Sequence, residues 1–147
     1  MAHKRLGIAV IGSGRIGTLR ARLSAMHPAV DFLAVSDADP AKAKALAEQC
    51  KANFYSTDND EVIAHPDVTA VFVSTPENEH MKPIIAALKL GKPVLVEKPI
   101  ALSLADAKII METLEETKGI LRVGYSRRFK ECFLRAKEQM IHERLGR

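Results

Sequence analysis

The amino-acid sequence predicts an α/β fold, in which a doubly wound parallel sheet carries helices on both faces. Short apolar runs alternate with stretches of helical periodicity from Arg5 to about Tyr125. A glycine-rich turn, "GSGRIG", joins the first apolar run to the first helical stretch. Strands that alternate with helices at this spacing form a parallel sheet, because each helix returns the chain across one face of it.

The alternation predicts six strands and five helices. The predicted strands are Leu6–Ile11, Asp31–Val35, a weak short strand Asn53–Tyr55, Ala70–Val73, Val94–Val96 and Leu121–Val123. The predicted helices are Ile16–Ala25, Ala41–Cys50, Asp60–Ala64, His80–Leu90 and Leu104–Thr117. Right-handed crossovers put the carboxyl ends of all the strands on one edge, where ligands bind in such sheets.

Capping residues support several of these boundaries. Asp39 stands directly before a proline that can start a helix, and Ser103 with Asp106 resembles a capping box. Gly91 and Gly119 lie where the C-terminal caps of two helices belong.

Composition narrows the class of protein. The chain has 147 residues, 47% hydrophobic and 27% charged, which suits one folded domain. No apolar run approaches the roughly 20 residues of a membrane span, and glycines interrupt the N-terminal apolar stretch too early for a signal peptide. We therefore expect a cytoplasmic protein without membrane partners. Cys50 and Cys132 fit neither a disulfide framework nor a metal site and are predicted to be free thiols.

The C-terminal stretch breaks the alternation, because no strand follows it. Its apolar residues form one stripe of an amphipathic helix: Phe129, Cys132, Phe133, Ala136 and Met140. We predict a dinucleotide-binding domain at residues 1–125 and a helical connector at residues 126–147. The net charge of +4 is scattered except near this end, so nucleic acid is not an expected partner.

The glycine turn predicts the ligand of the first domain. In Gly12-x-Gly14-x-x-Gly17, the first glycine permits a tight turn, the second lets the backbone approach a pyrophosphate, and the third lets the helix pack on the strand. Amides at the start of the helix then face the phosphates. Arg15 can contact the pyrophosphate or remain solvated.

Asp37 follows the second strand, twenty residues after the last glycine of the turn. A carboxylate there can accept hydrogen bonds from the adenosine ribose, and it repels a 2′-phosphate, which favours NAD over NADP. The alternative is that Asp37 or Asp39 caps the next helix, and the Asp-Pro sequence favours Asp39 for that role.

Polar residues also follow the fourth strand, in "STPENEH". Ser74, Thr75 and Pro76 are expected on the same edge as the glycine turn, with Asn78 and His80 beginning the next helix. His80 can equally be a helix-start residue. No histidine or cysteine partner accompanies it at ligand spacing, so we predict no metal site.

Five motifs occur in one order along the chain: "GSGRIG", "SDAD", "STPENEH", "VEKP" and "VGYSRRF". With them the sequence resembles the glucose–fructose oxidoreductase and inositol dehydrogenase family (Gfo/Idh/MocA), over the family's N-terminal half. The resemblance implies a Rossmann fold, NAD as cofactor, and hydride transfer to or from a sugar, inositol or related polyol. It also implies a cis peptide bond between Lys98 and Pro99.

The resemblance gives the lysine of the "VEKP" motif a catalytic role. In proteins of the family, the lysine that matches Lys98 lies beside the nicotinamide ribose. A cation there can orient the substrate hydroxyl and stabilise a developing alkoxide. We expect Glu97 to fix the lysine electrostatically; the alternative is a surface salt bridge at a strand end. Tyr125 and Arg127 match the segment that passes the nicotinamide. Many members of the family have asparagine directly after the Thr-Pro pair, whereas this chain has Glu77 there and Asn78 next.

The predicted site can be stated in full. The candidate catalytic residue is Lys98, and the candidate cofactor contacts are Gly12, Gly14, Arg15, Ile16, Gly17, Asp37, Ser74, Thr75, Pro76, Asn78, His80, Glu97 and Lys98. Family enzymes add a second domain that binds substrate, and nothing in this sequence matches it. We therefore expect a fragment that binds dinucleotide without turnover and can form homo-oligomers. The alternative function is a non-catalytic dinucleotide sensor or regulator.

Overall fold

The computed structural model describes residues 5–142 and Arg144. The structure does not describe residues 1–4, 143 and 145–147. The first of these ranges belongs to the predicted domain 1–125, and the others belong to the predicted connector 126–147. Among the described residues, no helix is both long enough and apolar enough to cross a membrane.

The secondary structure follows the predicted alternation. The strands are β1 (Leu6–Ile11), β2 (Val30–Ser36), β3 (Phe54–Ser56), β4 (Ala70–Val73), β5 (Val94–Val96) and β6 (Leu121–Val123). The helices are α1 (Arg15–Met26), α2 (Pro40–Cys50), α3 (Asn59–Ala64), α4 (Met81–Lys89), α5 (Leu104–Thr117) and α6 (Glu131–Ile141). Short 3₁₀ turns span Glu77–Glu79 and Ser126–Phe129.

All six strands belong to one parallel sheet in the order β3-β2-β1-β4-β5-β6. This order confirms the predicted doubly wound sheet. The strand order reverses between β1 and β4, which is where a ligand crevice opens at the carboxyl edge of such a sheet.

The core has two layers, one on each face of the sheet. In β1, Ala9 and Ile11 pack with α3, α4 and α5, whereas Ile8 and Val10 pack with α1 and α2. Successive side chains of a strand point to opposite faces, so an unbroken apolar run buries both. The central strand therefore holds the glycine turn at a rigid position.

Helix ends show where the capping predictions were right. The Asp39 carboxylate accepts hydrogen bonds from the amides of Ala41 (2.9 Å) and Lys42 (3.4 Å), which confirms it as the cap of α2. The Ser103 hydroxyl accepts from the amide of Asp106 at 3.0 Å, so this half of the predicted capping box is present.

The predicted C-terminal cap of α5 was wrong by one residue. Lys118, with φ 49°, takes the left-handed position, and Gly119 follows it. A Cβ at Gly119 would lie 2.7 Å from a methyl carbon of Leu88. Close packing between α4 and the end of α5, rather than an unusual φ, explains this glycine.

The predicted C-terminal helix is present as α6, but its apolar stripe is not buried. Helix α6 buries none of its residues, and Phe133, Leu134 and Met140 are exposed. Phe129 lies before the helix, because Lys130 has extended backbone dihedrals (φ −75°, ψ 137°).

Candidate functional site

The glycine turn after β1 has the geometry that two of its glycines predict. Gly12 has a φ of +95°, and a Cβ there would come within 2.7 Å of the Ser74 carbonyl oxygen. A Cβ at Gly17 would lie only 1.7 Å from the carbonyl oxygen of Gly12. The fold itself therefore requires the first and third glycines.

The second glycine is different, because the protein does not crowd it. Gly14 precedes α1 with an ordinary φ of −69°, and a Cβ there would meet nothing within 4 Å. A side chain at this position would project into open space at the N-terminal end of the helix. Any need for glycine here must come from something that approaches the backbone from outside.

The end of β2 fixes the turn and orients Asp37. The amide of Gly12 donates to the Ser36 carbonyl at 2.9 Å, and the amide of Ser13 donates to Asp37 Oδ2 at 2.7 Å. The other oxygen, Oδ1, accepts from the amide of Asp39 at 3.0 Å. Asp37 is therefore not the helix cap. Because an ionised carboxylate has about four acceptor positions, both oxygens can still accept from a ligand.

The end of β4 supplies two hydroxyls without partners. Ser74 Oγ and Thr75 Oγ1 are buried, and neither makes a hydrogen bond within the described part of the chain. The Ser74 amide donates to the Ile11 carbonyl at 2.8 Å, which fixes this strand end beside the glycine turn. Buried polar groups normally have partners, so these hydroxyls fit a polar ligand placed between β1 and β4.

These strand ends enclose a cleft of about 700 Å³, within the range of ligand sites. Seven predicted contact residues line it: Gly12, Gly14, Arg15, Asp37, Ser74, Thr75 and Pro76. Seven further lining residues were not predicted: Ser13, Thr18, Ala38, Lys42, Asn59, Glu77 and Glu79. Of these, Lys42 could have been predicted from the sequence, because it lies in the first turn of a helix that starts at the same edge of the sheet.

Besides Lys98, which lines a second cavity, five predicted contact residues do not line this cleft. They are Ile16, Gly17, Asn78, His80 and Glu97. Gly17 packs against the turn, and the 3₁₀ turn at Glu77–Glu79 presents its two glutamates to the cleft instead of Asn78. Direct contact of these five with a cofactor stays a prediction.

His80 is buried rather than at a helix surface. Its side chain is 1% exposed, with Nδ1 2.8 Å from the Pro99 carbonyl oxygen and Nε2 3.1 Å from the Thr75 carbonyl oxygen. Each nitrogen that carries a proton donates to the carbonyl it faces, and the tautomer decides which. The ring thus joins the end of β4 to the turn after β5.

Lys98 lines a second cavity, of about 400 Å³, at the β5 and β6 end of the same sheet edge. Its other lining residues are Tyr125, Ser126, Arg127 and Arg128. Lys98 is exposed, and its peptide bond to Pro99 is cis, as the resemblance implied. The three cations make this cavity electropositive.

Glu97 has a different partner from the one we expected. Its Oε1 accepts from Nη2 of Arg20, in α1, at 2.5 Å, and both side chains are mostly buried. Lys98 forms no ion pair within the described part of the chain. The described residues also contain no cluster of three or more histidine, cysteine, aspartate or glutamate side chains that could hold a metal ion.

A family model described as "Oxidoreductase family, NAD-binding Rossmann fold" (GFO_IDH_MocA) matches residues 6–125. The chain belongs to the Gfo/Idh/MocA family. Family membership confirms the resemblance seen in the five motifs, and the family description confirms NAD as the cofactor at the level of the family.

Relatives in the Gfo/Idh/MocA family include several inositol dehydrogenases. The chain is 34% identical over 140 residues to the scyllo-inositol 2-dehydrogenase (NAD(+)) of Bacillus subtilis, covering 95% of this chain and 41% of that protein. It is 36% identical over 142 residues to the inositol 2-dehydrogenase of Acidothermus cellulolyticus, covering 95% and 41%.

A solved structure shows the same fold. The scyllo-inositol dehydrogenase from Lactobacillus casei with bound NAD(H) and scyllo-inositol superposes with a TM-score of 0.90 at 26% identity. The match covers 97% of this chain and 43% of that one. The chain therefore spans about two fifths of the length of these relatives.

Proposed function

We propose that this chain is the NAD-binding part of an NAD-dependent dehydrogenase that acts on an inositol, a sugar or a related polyol. One observation carries the proposal: the open backbone at Gly14, the Asp37 carboxylate and the unpartnered hydroxyls of Ser74 and Thr75 border one cleft. These groups match the pyrophosphate, the ribose diol and the polar middle of a dinucleotide.

Each part of the cleft has a task in binding. The amides at the start of α1 and the open backbone at Gly14 receive the pyrophosphate, where the helix dipole favours negative charge. Asp37, already oriented by two amides, accepts from the adenosine ribose hydroxyls. Arg15 lines the same cleft and adds a cation near the phosphates.

Lys98 is the proposed catalytic residue. Bound NAD supplies a ring that accepts hydride from the substrate carbon. An ammonium group beside that carbon orients the substrate hydroxyl and stabilises the negative charge that develops on its oxygen. The electropositive cavity with Tyr125 and Arg127 lies on the edge that the nicotinamide end of a dinucleotide reaches from the glycine turn.

We further propose that residues 1–125 form the dinucleotide-binding domain and that residues 126–147 connect it to a substrate domain. The isolated chain of 147 residues then binds NAD without turning over a polyol, because hydride transfer requires the substrate to be held against the nicotinamide. A cytoplasmic location and a homo-oligomer remain predictions.

Titration of the chain with NADH tests the cofactor proposal. Gly14→Val is expected to weaken binding by about tenfold or more, because the side chain fills the path of the pyrophosphate. The free energy of unfolding should fall by no more than about 1 kcal/mol, since valine is a poorer N-cap for α1 than glycine. Gly17→Ala is the contrasting variant, since it collides with the Gly12 carbonyl and should lower stability. Undiminished NADH affinity in a folded Gly14→Val would refute the cleft assignment.

A second pair of variants tests Asp37. Asp37→Asn is expected to weaken NADH binding and to narrow the preference for NADH over NADPH, because the repulsive charge is gone. Asp39→Ala is the matched control: it removes a helix cap two residues away and should leave the preference unchanged. Equal affinity of the unmodified chain for both cofactors would contradict the role given to Asp37.

Lys98 is tested in the protein that carries this chain together with a substrate domain. Lys98→Ala is expected to lower turnover about a hundredfold, typical of the loss of one electrostatic or acid–base group. The dissociation constant for NADH should change little, because the glycine turn and Asp37 hold the other half of the cofactor. Unchanged turnover would remove Lys98 from the chemistry.

A further inference from the structure

The two residues that flank Lys98, Glu97 and Pro99, contact side chains from other parts of the fold. The lysine side chain is exposed and forms no ion pair within the described residues, so its own contacts do not hold it. The residue before it, Glu97, is held through its side chain. The residue after it, Pro99, is held through its carbonyl oxygen.

Arg20 holds the first of these neighbours. Its guanidinium donates to Glu97 at 2.5 Å and lies 5.9 Å from the ring centroid of Phe72, in the adjacent strand β4. The side chains of Arg20 and Glu97 are 26% and 18% exposed, so water and salt screen this pair less than a surface pair. The helix that begins at the glycine turn is thereby joined to the turn that carries Lys98.

Gly124 leaves the space for this ion pair. A Cβ at Gly124 would lie 3.1 Å from Oε1 of Glu97 and 3.3 Å from Nη2 of Arg20. The Gly124 amide also donates to the Val96 carbonyl at 2.7 Å, which keeps the ends of β5 and β6 together. The pair is therefore enclosed by three strand ends and one helix.

His80 holds the second neighbour. Its buried ring lies between the carbonyl oxygens of Pro99 and Thr75, so it joins the Lys98 turn to the strand end that lines the dinucleotide cleft. A buried ring in this position cannot move without breaking the N–H···O=C bond that it makes to one of these carbonyls, which is costly in a low-dielectric interior.

We propose that Arg20 and His80 are positioning residues for Lys98. They hold the Glu97–Pro99 turn from two sides and so set where the ammonium lies relative to the nicotinamide. This inference rests on the proposed function, in which Lys98 borders the bound cofactor. It goes further in assigning the placement of the catalytic cation to one residue of α1 and to the residue directly before α4.

The test uses the 147-residue chain and the fluorescence of bound NADH, which reports the surroundings of the nicotinamide ring. Lys98→Met removes the ammonium and is expected to change the emission of bound NADH. Arg20→Met should reproduce that change, while the dissociation constant for NADH shifts by less than about tenfold. Arg20→Lys, which keeps a cation, should restore part of the signal.

The double variant Arg20→Met with Lys98→Met separates positioning from a general structural role. If Arg20 acts through Lys98, the double variant should show the emission of Lys98→Met alone. Arg22→Met is the matched control, since it removes an exposed arginine from the same helix and should leave the emission unchanged. Effects of Arg20→Met and Lys98→Met that simply add would overturn the proposal.

His80 is tested by His80→Gln, which keeps one donor, and by His80→Phe, which keeps none. The expected order of the change in emission is His80→Phe, then His80→Gln, then the unmodified chain. If His80→Phe fails to fold, His80→Gln and the Arg20 series still decide. A changed emission in Lys98→Met with none in the Arg20 or His80 variants refutes the positioning role alone. No change in Lys98→Met refutes the proposed place of Lys98 itself, and absence of NADH binding refutes the cofactor cleft.

Discussion

The helices of the sheet domain and the C-terminal helix α6 differ in what their apolar faces contact. Each of α1–α5 buries at least two of its residues, and the clusters they form with the strands contain side chains of 0% exposure. Helix α6 buries none, although its apolar stripe was equally clear in the sequence. Apolar periodicity therefore predicts a helix but does not predict whether a packing partner is present.

This difference has consequences for stability. Packing against the sheet stabilises the helices of the domain, whereas an isolated helix of 11 residues such as α6 is marginal in water. The i,i+4 pair of Glu131 and Arg135 is exposed and contributes only a few tenths of a kcal/mol. We therefore expect α6 to open independently of the sheet domain.

The largest effect that we expect from this comparison concerns the two cysteines. Cys50 ends α2 at 7% exposure, and burial raises the pKa of its thiol, with a smaller opposing effect of the Arg22 guanidinium. Cys132 is exposed on α6. At pH 8 a disulfide reagent should label Cys132 at once. It should label Cys50 at least about a hundredfold more slowly, since buried thiols react through opening of the fold.

Single-cysteine variants assign the two phases. Cys132→Ser should remove the fast phase, and Cys50→Ala should remove the slow one. Equal rates for both thiols would show that Cys50 is as accessible to the reagent as the exposed Cys132, and the comparison would then fail.

A matched pair of leucines gives the next largest effect. Leu88 in α4 is 1% exposed and Leu134 in α6 is 49% exposed. Leu88→Ala leaves a cavity beneath Gly119 and should lower the free energy of unfolding by about 2–5 kcal/mol. Leu134→Ala should change it by less than about 0.5 kcal/mol. Urea unfolding measures both, and similar losses would mean that α6 is part of the same cooperative unit.

The sequence predicted the sheet domain well because its signals are local. Most strands are apolar runs, most helix ends have a cap, a glycine or a proline, and right-handed crossovers then leave few topologies. Placement of the glycine turn, Asp37, Ser74 and Thr75 around one cleft follows from that topology. The family resemblance added the cis Lys98–Pro99 bond, which no periodicity indicates.

Side-chain partners from distant parts of the chain were not predicted. Arg20 and Glu97 are 77 residues apart, and their pairing depends on how α1 packs on the sheet. One signal was present: Arg20 follows Gly17 by three residues, on the face of α1 that packs on the sheet. Glu77 and Glu79 line the cleft and Asn78 does not, because a single 3₁₀ turn orients these residues. The local sequence pattern does not predict the orientation of such a short turn.

The smallest effect that we expect sharpens the comparison through helix caps. Asp39→Ala removes the side-chain cap of α2 and should lower the global free energy of unfolding by about 1 kcal/mol, with Asp39→Ser restoring most of it. Helix α6 has Lys130 at its N-cap and no side-chain cap there. Lys130→Ser should therefore add a cap to α6 and remove a cation from the positive end of its dipole.

Since we expect α6 to open independently of the sheet domain, the gain from Lys130→Ser should stay within that helix. Hydrogen exchange of the α6 amides should slow by a small factor, while the urea midpoint of the sheet domain stays where it was. A midpoint that rises as much as Asp39→Ala lowers it would mean that α6 is coupled to the sheet. The apolar stripe of α6 would then be packed in solution, in an interface between two copies of the chain.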